Sequence, residues 1–142
     1  MLRLIHNILM VDDDEDDQFL FQEALQQINE VCCCEIVSNG SEAIKKLGIP
    51  PPPDIIFLDL NMPIMNGFEC LRNLRAQENY KDIPVVVYST TNDKQSIELL
   101  KSLGATAFFQ KPTDFSHLQF KLKKLLGDVS NGNALPVDDF VI

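Results

Sequence analysis

Four short apolar runs, each halted by polar residues suited to chemistry, constrain this chain more than any other feature. Ile55-Ile56-Phe57-Leu58 stops at Asp59, and Leu9-Met10-Val11 stops at Asp12-Asp13. Val85-Val86-Val87-Tyr88 stops at Ser89-Thr90, and Ala107-Phe108-Phe109-Gln110 stops at Lys111-Pro112. Apolar runs this short read as strands buried on both faces, the mark of a parallel sheet covered by helices. Ligands of such open sheets bind outside the carboxyl ends of the strands. The runs therefore bring three acids, a hydroxyl and an ammonium to one sheet edge. A magnesium-assisted phosphorylation site on a carboxylate needs those groups.

Helical periodicity fills the intervals. Leu20, Phe21, Ala24, Leu25 and Ile28 space a helix over about Asp14 to Ile28, after a first strand of about Ile5 to Val11. A second strand covers about Cys32 to Val37. Asn39-Gly40 then turns the chain, and Ser41 is the expected cap of a short helix ending near Leu47. Pro50 to Pro53 form a stiff connection into the third strand. The next helix spans about Gly67 to Gln77, with Phe68, Leu71 and Leu74 inward. Asn92 or Asp93 opens the fourth helix, Ile97, Leu100 and Leu103 form its buried face, and Gly104 ends it. The last helix is expected from about Asp114 to Leu126, with Phe115, Leu118, Leu122 and Leu125 inward and Gly127 as its stop. Strand and helix thus alternate five times, which implies an α/β fold with a parallel sheet and helices on both faces.

At 142 residues the chain suits one domain. Its formal net charge of −9 argues against nucleic acid or an anionic membrane surface as partner, since both require a basic face. The N-terminal apolar residues are broken by Arg3, His6 and Asn7, so no signal peptide is expected. No apolar run approaches the ~20 residues that span a bilayer, and a cytoplasmic location is the expectation. Cys32, Cys33 and Cys34 are consecutive, so on a strand their side chains alternate between faces, poorly placed for a disulfide. They read as small apolar residues of a reduced compartment. Residues 128–142 are loop-like at Asn131-Gly132-Asn133 yet apolar at Leu135-Pro136-Val137 and Phe140-Val141-Ile142. A frayed terminus is the default for such a segment; docking on the domain or on a second subunit is the alternative.

Val11-Asp12-Asp13, Asp59-Leu60-Asn61-Met62-Pro63 with Asn66-Gly67, Ser89-Thr90 and Lys111-Pro112 occur together and in this order. In this set, and over roughly residues 5 to 127, the chain resembles the receiver domain of two-component response regulators. The resemblance implies a flavodoxin-like, doubly wound five-stranded sheet of order 2-1-3-4-5. It implies a receiver domain over 1–127, a C-terminal tail over 128–142 and no effector domain. Asp59 is then the phosphoacceptor, taking a phosphoryl group from a sensor histidine kinase or a histidine phosphotransfer protein. Asp13 and Asp59 ligate magnesium directly, Asp12 acts largely through water, and Asn61 offers its backbone carbonyl. Lys111 pairs with the acids at rest and with a phosphoryl oxygen afterwards, while Ser89 binds another. The Lys111–Pro112 bond is commonly cis in the family. Phe108 occupies the position of the family's aromatic switch, or else packs in the core. A hydroxyl drawn to the phosphoryl group would let that ring turn inward and alter the helix 4–strand 5–helix 5 face, the same face through which a homodimer could form. Thr90 stands where many members carry Ala or Gly and would restrict access to the phosphoryl group. The chain is then a signalling domain catalysing only its own phosphorylation and dephosphorylation, with output through protein contacts, a phosphorelay or a phosphate sink. Its motif strings look like stand-alone receivers that partner sensor kinases, phytochrome-type ones among them.

Residues Asp14 to Asp17 are assigned to the first turn of a helix, where the macrodipole favours negative charge. Two other classes fit poorly. A haloacid-dehalogenase-type phosphatase needs a second Asp two residues after the nucleophile, and Asn61 stands there. A flavin or nucleotide module needs a glycine-rich first loop, and here that loop is acidic.

Overall fold

The computed structural model describes residues 7–28, 33–130 and 140–142. The strands are β1 (Asn7–Val11), β2 (Cys33–Val37), β3 (Ile55–Leu58), β4 (Val85–Ser89) and β5 (Ala107–Gln110). The helices are α1 (Glu15–Ile28), α2 (Gly40–Leu47), α3 (Gly67–Ala76), α4 (Lys94–Ser102) and α5 (Phe115–Ser130). All strand pairs are parallel and the sheet order is β2-β1-β3-β4-β5. The expected starts at Ile5 and Cys32, and the apolar Leu135 to Val137, lie outside the described residues.

Side chains alternate across a strand, so each apolar run feeds two cores. Ile55 and Phe57 join Ile8, Met10, Val86, Tyr88 and Phe109 on the face covered by α1 and α5. Ile56 and Leu58 join Leu9, Val11, Val85, Val87 and Phe108 beneath α2, α3 and α4. Phe21, Phe57, Tyr88 and Phe109 form an aromatic cluster in the first core, with centroid separations from 4.9 to 6.5 Å.

Three boundaries differ from expectation. Asn39, not Ser41, caps α2: its side chain accepts the Glu42 N–H at 2.9 Å. Gly127 does not stop α5, which runs through Ser130, so the division expected at residue 127 falls inside a helix. Gly127 lies clear of other atoms and its φ is not positive, so it lacks the left-handed turn that ends a helix. Gly104, at φ 97°, does take that conformation after α4. The third difference is in the tail. Phe140 to Ile142 are docked, not frayed: Val141 bridges Phe108 in parallel, the Phe108 N–H donates to the Phe140 carbonyl at 2.8 Å, and the Ile142 N–H donates to the Phe108 carbonyl at 2.7 Å. Phe140 packs on one core and Ile142 on the other.

Candidate functional site

The sheet's hydrogen-bond ladder continues past the strand ends into the functional residues. The Asp12 N–H donates to the Val37 carbonyl at 3.0 Å, Asp59 N–H to Val11 at 2.9 Å and Lys111 N–H to Ser89 at 2.9 Å. The backbone at each chemical group is thereby fixed by the neighbouring strand. Asp12, Asp13 and Asp59 have carboxylate oxygens within 4.8 Å of one another. Asp12 and Asp59 are buried, while Asp13 is exposed.

Behind Asp59, the start of α3 packs directly on the strand end. A Cβ at Gly67 would sit 2.3 Å from the Asp59 carbonyl oxygen and 2.8 Å from the Leu60 Cα, so no other residue fits without displacement. Asn66 and Glu69 form a reciprocal capping box that fixes this helix start. The intervening loop carries strain. Ile64 has φ 69°, and the Met65 N–H donates to the Pro63 carbonyl at 2.7 Å, making a tight turn centred on a β-branched residue.

Lys111 lies at the centre of the acids. Its Nζ is 2.9 Å from Asp12 Oδ2, 2.7 Å from Asp17 Oδ2 and 3.6 Å from Asp59 Oδ1. The Tyr88 ring stands 5.2 Å behind it, favourable for a cation facing a π-system. Burial alone would lower the lysine's pKa, but the bonds to Asp17 and Asp12 outweigh it and push it up. Burial raises Asp12 above the ordinary carboxylate value, against the Asp14 N–H and Lys111. Burial likewise raises Asp59 to about 6, with Lys111 opposing and the charges of Asp12 and Asp13 adding to the rise. An acid held that high is a poor resting anion and a ready ligand for a compensating cation. All three groups are oxygen donors, which fits a hard divalent ion such as magnesium.

Ser89 is buried, and its hydroxyl accepts the Thr91 N–H at 3.2 Å. Thr90 is exposed beside it. Phe108 is fully buried in the core under α4, so its ring is already inward and the turn expected of it has no starting point in this structure. The Lys111–Pro112 bond is not cis; among the described residues the cis bond is Pro50–Pro51. The site residue missed in the sequence is Asp17. Its place in the first turn of α1 accounted for its charge, yet it makes the shortest contact to Lys111.

Residues 8–123 match the family described as the response regulator receiver domain. The crystal structure of the phosphorylated cyanobacterial phytochrome response regulator RcpA is 30% identical, with TM-score 0.84 over 93% of this chain and 99% of that one. The Mn(2+)-bound form of response regulator Rcp1 is 27% identical, with TM-score 0.79 over 92% and 99%. A probable C4-dicarboxylate response regulator of Bacillus subtilis, DctR, is 28% identical over 87% of this chain; the chain spans 54% of that relative's length. No described helix is long and apolar enough to cross a membrane.

Proposed function

Since the chain belongs to the response regulator receiver family, we propose that it accepts a phosphoryl group on Asp59 from a histidine kinase or a histidine phosphotransfer protein. The observation that carries this reading is the placement of Asp59. It stands at the end of the central strand with Asp12 and Asp13 within 4.8 Å and a lysine ammonium at 3.6 Å. An Asp59 carboxylate oxygen attacks phosphorus, the phosphorus–nitrogen bond to histidine breaks, and the histidine leaves with its electron pair. Transfer of this kind rests on positioning and charge neutralisation. Asp13 and Asp59, with Asp12 through water and the Asn61 backbone carbonyl, would hold magnesium. When bound, that ion neutralises charge on the acids and on the incoming phosphoryl oxygens. Lys111, 3.6 Å from Asp59, would supply a second positive charge. The Ser89 hydroxyl, now occupied by the Thr91 N–H, turns to a phosphoryl oxygen, and Thr90 narrows the approach. Such a chain acts on no separate substrate and is a signalling domain of the cytoplasm.

Output passes through protein contacts or onward relay. The switch reading of Ser89 and Phe108 takes a revised form: with the ring already inside, the moving parts are the Ser89 hydroxyl and the loop into α4. A homodimer through α4, β5 and α5 would meet mainly the two helices, because residues 140–142 lie along β5. Incubation with acetyl phosphate and magnesium tests the central assignment. Intact mass should rise by one phosphoryl group in the wild type and stay unchanged in Asp59→Asn. Equal labelling of the variant refutes the acceptor.

A further inference from the structure

We infer that Asp17 is a positioning residue that holds the Lys111 ammonium off Asp59 until a phosphoryl group arrives. The inference rests on Asp59 being the acceptor. Lysine has three donors and no acceptor. Here short contacts go to Asp12 at 2.9 Å and Asp17 at 2.7 Å, while Asp59 at 3.6 Å is beyond a good hydrogen bond. The lysine side chain is only 9% exposed, and the Tyr88 ring backs it at 5.2 Å, so its position is defined by these partners.

Asp17 differs from the other two acids. The group able to hold a cation comprises Asp12, Asp13 and Asp59, and Asp17 is outside it. When a cation draws on Asp12 and Asp59, Asp17 therefore remains the counter-charge of the lysine. Its own place is fixed from behind, where its backbone N–H donates to the Asp14 carboxylate at 3.0 Å in the first turn of α1. The ammonium has a third N–H for a phosphoryl oxygen on Asp59, but it stands 3.6 Å from that carboxylate, and a shift toward it is resisted by the 2.7 Å bond to Asp17. Asp17 thus opposes the phosphorylated state through Lys111, and its removal should favour that state.

Beryllofluoride, a phosphoryl mimic, titrated into the full chain at saturating magnesium and followed by amide NMR, tests this. Asp17→Asn should bind it about fivefold more tightly than Asp16→Asn, which removes one charge at an exposed neighbouring position. Asp17→Glu should return the affinity to the wild-type value. In a Lys111→Met background the effect of Asp17→Asn should vanish, because a double-mutant cycle isolates coupling between the two side chains. Binding by Asp17→Asn no tighter than by Asp16→Asn, or a gain that persists without Lys111, overturns the inference while leaving the acceptor in place. Failure of the wild-type chain to bind the mimic overturns the acceptor reading and this inference with it.

Discussion

Replacing Asp59 by Asn should make the metal-free protein more stable at neutral pH, although it removes the acceptor. Burial is the main cause of the rise in the Asp59 pKa from its ordinary 3.8 to about 6. At 1.36 kcal/mol per pKa unit, ionising this group in the fold costs about 3 kcal/mol. Asp59 is 7% exposed, so solvent screening removes little of that. The amide of Asn must find partners of its own, at a cost of about 1 kcal/mol, which leaves a net gain of about 2 kcal/mol. Lys111 keeps Asp12 and Asp17 as partners, so the substitution strands no ammonium. The pH dependence follows from proton counts. Between about pH 4 and 6 the folded wild type holds a proton that the unfolded chain has released, so its stability falls as pH rises through that window. The variant lacks this dependence, and its advantage should be full near pH 7 and lost near pH 4. Urea unfolding in a chelator, followed by far-UV circular dichroism because the chain has no Trp, measures the gap. With a slope of about 1–3 kcal/mol/M, the midpoint at pH 7 should move up by about 1 M. Magnesium should narrow the gap by binding the wild-type fold. A variant less stable than wild type at pH 7 in chelator, or a gap that ignores pH, refutes the reasoning.

Two further changes probe the backbone around the acceptor. Gly67→Ala places a methyl group against the Asp59 carbonyl and should destabilise the protein by about 1–3 kcal/mol while slowing acetyl phosphate labelling; an unchanged urea midpoint would show that α3 can withdraw freely. Ile64→Gly should do the opposite. The side chain is 81% exposed and loses no packing, so relief of positive φ should outweigh the added chain entropy by about 1 kcal/mol in the same unfolding assay, and a lowered midpoint would refute the strain.

Most of the sheet was legible because its strands are short, continuous apolar runs that stop at functional groups, and a parallel sheet allows few other readings. Asp12, Asp13, Asp59 and Lys111 converge because each follows such a run directly. What escaped depended on relations between distant segments. Asp17 already had a sufficient local reason to be acidic, and only the packing of α1 against α5 shows that it also reaches Lys111. Asn39 suits a turn and a helix cap equally well, and the structure uses it as the cap. Gly127 is a stop only where the chain turns left-handed, which its sequence context does not reveal. The docking of Phe140 and Ile142 needed a free strand edge that exists only once the sheet has formed.

That docked segment changes how this sheet meets other sheets. An open parallel sheet presents two bare margins, each a template on which a foreign strand can add. Here residues 140–142 lie along the β5 margin, where Phe108 has both its N–H and its carbonyl engaged. The β2 margin carries Glu35 in an ion pair with Lys46, and charged side chains make an edge strand a poorer template for a second backbone. The protein therefore covers the middle of one border with its own chain and sets a charged pair on the other, a division of labour that opposes sheet-to-sheet polymerisation.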